Sequence, residues 1–281
     1  MNFLYPLGAA VLQAASSTLD KVTLSIKKVT YKSYNGISFP LIFLFTLILF
    51  LIVKPNLSIN QFTPFLIILI LVSTIFSIIT NLLYYRALKS DLLSEMQTFS
   101  LLSHIPLIIL TALVFSEERN PIIIILAIIS AGFLVWSHYE HHHLKISRKT
   151  LHYFIWIMII APFGGIISKI LLKTFDPISL KLIRDFIIAI VFIIIFLKSI
   201  KQTPKKAYLP LILTNILTTI AWILYFFSYQ KLGIIYTVLI FSLEPLLVYL
   251  TSIFLLKEKI NLKKIIAFII ILLAIGIAQV I

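Results

Sequence analysis

The chain is expected to be an all-α integral membrane protein, with ten transmembrane helices arranged as two inverted five-helix repeats. Three observations predict this. Of 281 residues, 60% are hydrophobic and 12% charged, with a mean hydropathy of +1.09, whereas soluble domains are about 25% charged. Ten apolar segments approach the ~20 residues that a ~30 Å hydrocarbon core requires. The longest polar interruption, His138 to Lys149, falls near the midpoint, with similar landmarks in the same order on each side.

The segments run over 3–24, 34–53, 62–85, 92–115, 120–137, 151–172, 178–197, 208–229, 234–256 and 261–281. Short spacers rich in helix breakers and charge separate them: Lys54-Pro55-Asn56, Glu117 to Pro121, Thr174 to Pro177, and Lys198 to Lys206 with Pro204. None is long enough to form a soluble domain. The first segment does not read as a cleavable signal peptide, because Met1-Asn2 supplies no basic start and Gln13, Ser16, Ser17, Thr18 and Asp20 interrupt its apolar run. Its Ala9, Ala10, Ala14 and Ala15, like Gly164-Gly165 in the sixth segment, permit close helix approach. Pro106, Pro162 and Pro245 are the expected hinge points.

Twenty-four Lys and Arg against ten Asp and Glu leave a formal charge of +14. The cations gather between apolar runs, so the expected partner is anionic lipid headgroup rather than nucleic acid. With no cysteine, disulfide and thiol chemistry are excluded. Sixteen Lys and Arg follow odd-numbered segments and four follow even-numbered ones. By the positive-inside rule, that bias places both termini outside the cell membrane.

Across the midpoint, Ser17 to Lys21 aligns with Gly165 to Lys169, Tyr84 to Ala87 with Tyr225 to Ser228, and Ile105-Pro106 with Glu244-Pro245. Glu118-Arg119 aligns with Glu258-Lys259, and Gly132 with Gly276. The repeats are therefore taken as 1–137 and 151–281, joined by a polar connector over 138–150. An odd number of segments per repeat inverts the second half in the bilayer, an arrangement typical of secondary transporters with a midplane site. A Lys late in segments one and six, Arg184 in segment seven, tyrosines in segments three and eight, Ser242-Leu243-Glu244-Pro245, Lys257-Glu258-Lys259 and a late Gly276 follow in order. The whole chain thereby resembles the drug/metabolite transporter superfamily, EamA type.

The resemblance implies a transporter of amino acids, amines, sugars or other metabolites, with both termini cytoplasmic, the reverse of the charge count. The chain departs from a symmetric pattern where Ile105 stands opposite Glu244 and Asn35-Gly36 opposite Arg184.

Glu244 is the only charge among the 23 residues between Gly233 and Lys257. A carboxylate at bilayer depth is costly and marks a functional site by default. It fits a cationic substrate or a proton, and equally a packing role beside Pro245. Trp222, Tyr225 and Tyr229, spaced i, i+3, i+7, form a stripe that fits a cation cage or plain helix packing. Lys21 and Lys169 either face a cavity or snorkel to the interface. Tyr84, Asn81, Gln13 and His104 complete the substrate- or proton-binding candidates, and Glu95 and Gln97 share segment four with His104. Asp20 points about 100° from Lys21 and need not pair with it. Arg184 and Asp185 read as structural, bonding a neighbouring helix. His138 and His141 to His143 with Glu140 have metal-ligand composition but read as a solvated connector.

No phosphate loop, HExxH or GxSxG motif occurs. The expected function is therefore secondary-active, alternating-access transport of a small metabolite: an amino acid, amine or other organic cation, with proton coupling open. No enzyme activity, resident metal or cofactor is expected, and a homodimer is open. The alternatives are a flippase for a lipid-linked headgroup and a membrane-embedded lipid-modifying enzyme using Asp20, Glu244 and the histidines. If the termini lie outside, an impermeant thiol reagent applied to intact cells leaves Lys27→Cys and Lys201→Cys unlabelled; labelling at both positions contradicts that orientation.

Overall fold

The computed structural model describes residues 2–91, 93, 96, 100, 102–138, 147–256 and 262–280. Regular structure among them is helical throughout: α1 (Leu4–Ser25), α2 (Tyr31–Val53), α3 (Pro64–Ser90), α4 (His104–Val114), α5 (Pro121–His138), α6 (Arg148–Leu172), α7 (Pro177–Ile200), α8 (Tyr208–Leu232), α9 (Ile234–Phe241), α10 (Glu244–Leu256) and α11 (Leu262–Val280). Glu95, Gln97, Glu140, His141 to His143 and Lys257 to Lys259 lie outside the described residues. Among the described residues, five helical stretches are long and apolar enough to cross a membrane: Tyr31–Val53, Pro64–Ser90, Arg148–Leu172, Lys205–Leu232 and Ile234–Thr251.

Helix starts follow from local chemistry. The Thr30 hydroxyl accepts from Ser33 N–H at 3.1 Å while the Ser33 hydroxyl takes the Thr30 N–H at 2.9 Å, a reciprocal cap on α2. Pro64 and Pro177 open α3 and α7 behind the capping side chains of Thr63 and Asp176.

The expected ninth segment is not one helix. It breaks at Ser242-Leu243, because Pro245 has no N–H to donate, and α10 starts afresh with Leu246 and Leu247 N–H on the Leu243 carbonyl. The fourth segment is interrupted likewise at Ser103, ahead of Pro106. By contrast, α6 continues unbroken through Pro162. An interruption that no proline signals occurs at Phe196 in α7 (φ −114°, ψ 15°).

Packing pairs α1 with α8, α2 with α7, α3 with α6, and α5 with α11. Buried Ala9, Ala10, Ala14, Ser16 and Ser17 on α1 let the chain approach α8, where the Ser16 hydroxyl bonds Thr214 at 2.9 Å and Thr218 at 2.5 Å. Ile52, Leu113, Ile194 and Leu209 face outward and are exposed, apolar surface of the kind a bilayer covers. The apolar interior divides into two clusters. One gathers Phe115, Leu172, Phe175, Tyr229 and Leu239; the other gathers Leu24, Tyr34, Leu88, Tyr153 and Phe192. Buried polar groups accompany these clusters: Ser16 and Ser17 on α1, Ser73 on α3 and Glu244 on α10.

A β-carbon on Gly36 would sit 2.7 Å from Ile200 Cγ1 and 3.2 Å from Phe196 Cβ, so α2 meets α7 where only glycine fits. Gly36→Leu is expected to destabilise the protein by about 1–3 kcal/mol through overpacking. Thermal unfolding checks this, and Ile200→Ala is expected to restore part of the loss.

Candidate functional site

Glu244 is buried, 5% exposed, as the first residue of α10. The helix break is what puts it there. A helix N-terminus carries partial positive charge, so a carboxylate is tolerated at this depth where mid-helix it would not be. The Ser17 hydroxyl donates to its Oε1 at 3.1 Å, and Gln13 Nε2 donates to Ser17 Oγ at 3.3 Å. Tyr84 and Tyr153 lie within electrostatic reach of the carboxylate. Their rings pack 5.5 Å apart, and the Tyr153 hydroxyl bonds Ser100 at 3.0 Å. Glu244 is thus surrounded from α1, α3 and α6.

Two candidates carry buried atoms that find no partner among the described residues: Gln13 Oε1 and His104 Nδ1. Buried polar groups are nearly always satisfied, so unmet acceptors mark places where water or a ligand belongs. Asn81 Nδ2 instead donates to the Ser77 carbonyl at 2.8 Å.

On α8, Tyr225 and Tyr229 stack at 4.6 Å with their hydroxyls 2.9 Å apart, and Phe241 joins Tyr225 at 4.8 Å. Trp222 meets Tyr225 edge-on at 5.2 Å but is 38% exposed. The stripe holds together as a packed aromatic cluster, with the tyrosines inside and the tryptophan at its rim.

The two lysines stand at polar helix ends. Lys21 Nζ donates to the carbonyls of Leu88 at 2.8 Å and Asp91 at 2.6 Å, where the end of α3 offers partial negative charge. Lys169 pairs with the Glu118 carboxylate and lies 4.4 Å from the Phe115 ring. Glu118 also accepts the Ile234 and Ile235 N–H groups at 2.9 and 2.8 Å, capping α9. Gly233 makes room: φ is +84°, and a β-carbon there would lie 2.8 Å from Glu118 Cδ.

A second buried carboxylate, Asp20, is ringed by hydroxyls. Tyr34 donates to it, with Tyr85 at 3.4 Å and Thr214 at 2.5 Å. Sequence reasoning noted the charge but missed these partners, which come from α2, α3 and α8. Asp185 pairs with Lys181 one turn away at 2.9 Å and accepts from Thr46 on α2 at 2.9 Å. Arg184 reaches Ser77 Oγ at 2.5 Å and, at 3.4 Å each, Ser168 Oγ and the Ser73 carbonyl.

Apart from this interior, a groove of about 530 Å³ lies between α3 and α6, with Arg86, Lys149 and His152 among its lining groups and apolar walls such as Trp156 and Ile159.

Removing one member of a buried pair strands the other's charge, at about 3–5 kcal/mol. Glu118→Ala is expected to lower thermal stability on that scale, less whatever Glu117, 3.5 Å from Lys169, supplies instead. The double variant Glu118→Ala/Lys169→Met is expected to recover part of it, as a double-mutant cycle by thermal unfolding would report.

Residues 149–279 match the EamA-like transporter family. A solved structure described only as "Crystal structure of protein" superposes with a TM-score of 0.72 over 98% of this chain and 95% of its own, at 14% identity, a likeness of fold alone. No curated protein matches the sequence. The second half of the chain is thus similar to the EamA-like transporter family, and its long apolar helices are those of a multi-pass membrane protein.

Proposed function

We propose that the protein is a secondary-active transporter of a small metabolite bearing a positive charge, an amino acid or amine, with Glu244 as the group that binds it. One observation carries this reading: a carboxylate buried at a helix break, flanked by Ser17 and Gln13, whose Oε1 has no partner among the described residues. A substrate ammonium would bind the carboxylate directly, and the aromatic cluster of α8 and α9 offers faces to a cation. A proton would serve the same carboxylate between substrates, which is the route to proton coupling.

The alternating-access mechanism rests on two inverted repeats, 1–137 and 151–281, in a multi-pass protein of the cell membrane. Helix pairing supports them. Exchanging the halves turns the α1–α8 pair into the α6–α3 pair, while α2–α7 and α5–α11 each exchange into themselves. That is the pattern a two-fold axis in the membrane plane would generate. The breaks ahead of Pro106 and Pro245 fall at matching places, and rocking about them would open Glu244 to each side in turn.

A second reading, a flippase for a lipid-linked headgroup, draws on the α3–α6 groove. Its basic residues suit an anionic headgroup, and Ile155 and Ile159 on its wall are exposed.

Proteoliposomes loaded with radiolabelled amino acids and amines distinguish these. Saturable movement of an unmodified solute that falls at least ~10–100-fold in Glu244→Gln, as expected for losing a charge-assisted contact of ~1.5–3 kcal/mol, supports the transporter. Headgroup translocation unaffected by Glu244→Gln supports the flippase, and chemical turnover of a lipid would sink both.

A further inference from the structure

We propose that the groove between α3 and α6 is a binding site for an anionic phospholipid, whose phosphate lies among Arg86, Lys149 and His152 and whose acyl chain lies along Trp156, Ile155 and Ile159. The lipid is a fixed partner that braces the two helices rather than cargo, and the site stands whichever solute the interior carries.

Contacts along the helix pair set the geometry. Lys149 Nζ donates to Ser90 Oγ at 2.9 Å, the Tyr84 and Tyr153 rings lie 5.5 Å apart, and Trp156 Nε1 donates to Thr80 Oγ1 at 2.8 Å. Falling positions on α3 meet rising positions on α6, so the helices are antiparallel and Arg86 stands level with His152. Arg86 is one turn from the end of α3, and Lys149 and His152 belong to the first turns of α6. All three line the groove and are exposed. They gather at the polar end of the pair, the level at which headgroups meet a spanning helix. From Lys149, the residues His152, Trp156 and Ile159 follow at i+3, i+7 and i+10, a stripe of ~15 Å along one face of α6 that leads from charge into apolar wall.

The lining selects the charge of the ligand. Among the described residues it contains no carboxylate. Asp91, the acid just past the end of α3, accepts from the Ser147 hydroxyl at 2.5 Å and from Thr150. The ion pairs among the described residues involve Lys169, Lys173 and Lys181, and none involves the groove's cations. A zwitterionic headgroup would bring its own cation against like charge. A phosphate on an anionic headgroup meets a guanidinium fork from α3, and an ammonium and an imidazole N–H from α6. One anion thus ties both helices together.

The walls favour a lipid over a free anion. Ile155 and Ile159 are 49% and 56% exposed. Trp156, held by Thr80 and set edge-on to Phe76 at 6.2 Å, gives the groove a fixed apolar side. A soluble phosphate would engage only the basic end. An acyl chain tethered to the phosphate also fills the apolar remainder of the 530 Å³.

The test uses the full-length protein in phosphatidylcholine nanodiscs, with Trp136→Phe and Trp222→Phe so that Trp156 is the one indole left. Phospholipid brominated on its acyl chain quenches an indole it touches. Brominated phosphatidylglycerol is expected to quench Trp156 as though enriched about fivefold or more over brominated phosphatidylcholine at the same mole fraction, and to raise the melting temperature. Each variant is read against its own values in pure phosphatidylcholine, so a less stable one remains informative. Arg86→Gln/Lys149→Gln should remove both effects, while Lys205→Gln/Lys206→Gln, which takes the same charge from exposed positions elsewhere, should keep them. Equal quenching by the two lipids overturns the proposal. So does a preference that survives Arg86→Gln/Lys149→Gln, or one that falls as far in Lys205→Gln/Lys206→Gln, the mark of diffuse attraction to a chain of charge +14. Fluorescent phosphatidylglycerol is expected to cross proteoliposome membranes no faster than protein-free ones. Faster crossing that depends on Arg86 and Lys149 would make the lipid cargo and overturn the claim of a fixed partner.

Discussion

In hydrocarbon, a backbone group without a partner has no water to turn to, so every interruption of a helix must be repaired within the protein. The break between α9 and α10 is organised by that constraint. Pro245 withholds an N–H, the Leu243 carbonyl takes the first bonds of α10, and a carboxylate occupies the electropositive start of the new helix. Ser17 and Gln13 on α1 then supply hydroxyl and amide groups at the same depth. Small residues bring α1 against α8 and α10, which lets these polar groups meet. At the far end of α9 the same need is met from outside, by Glu118 accepting the Ile234 and Ile235 N–H groups.

The charges inside this protein fall into two kinds. Asp20, Asp185 and Glu118 are tied down: the first by hydroxyls from three helices, the others by lysines and helix donors. These lock elements together, and their loss would appear as instability. Glu244 meets the Ser17 hydroxyl, and Arg184 meets the Ser77 and Ser168 hydroxyls and the Phe226 ring.

Much of the helical outline could be read directly, because lipid imposes a length on apolar runs and charges collect between them. Glu244 stood out for the same reason, as the single charge in a 23-residue stretch. What escaped was whatever depended on contacts far apart in the chain. Lys169 looked like a cavity or interface residue, yet its partner Glu118 lies 51 positions away in a spacer that had served only as a landmark. Asp20 gathers Tyr34, Tyr85 and Thr214 from three other helices, and no local spacing foretells that. The bend at Phe196 has no proline or glycine to announce it. The i, i+4 spacing of Lys181 and Asp185, by contrast, carries its own pairing.

The central claim is that Glu244 is a reachable binding group rather than a sealed packing residue. Carbodiimide modification followed by peptide mass spectrometry examines this directly in the folded protein. The account predicts that Glu244 is modified, while Asp20 and Glu118 in their closed networks are spared, and that a transported amine or amino acid protects Glu244 as its concentration rises. A Glu244 that stays unmodified while the protein remains folded, or that is modified at the same rate whatever solute is present, would contradict it.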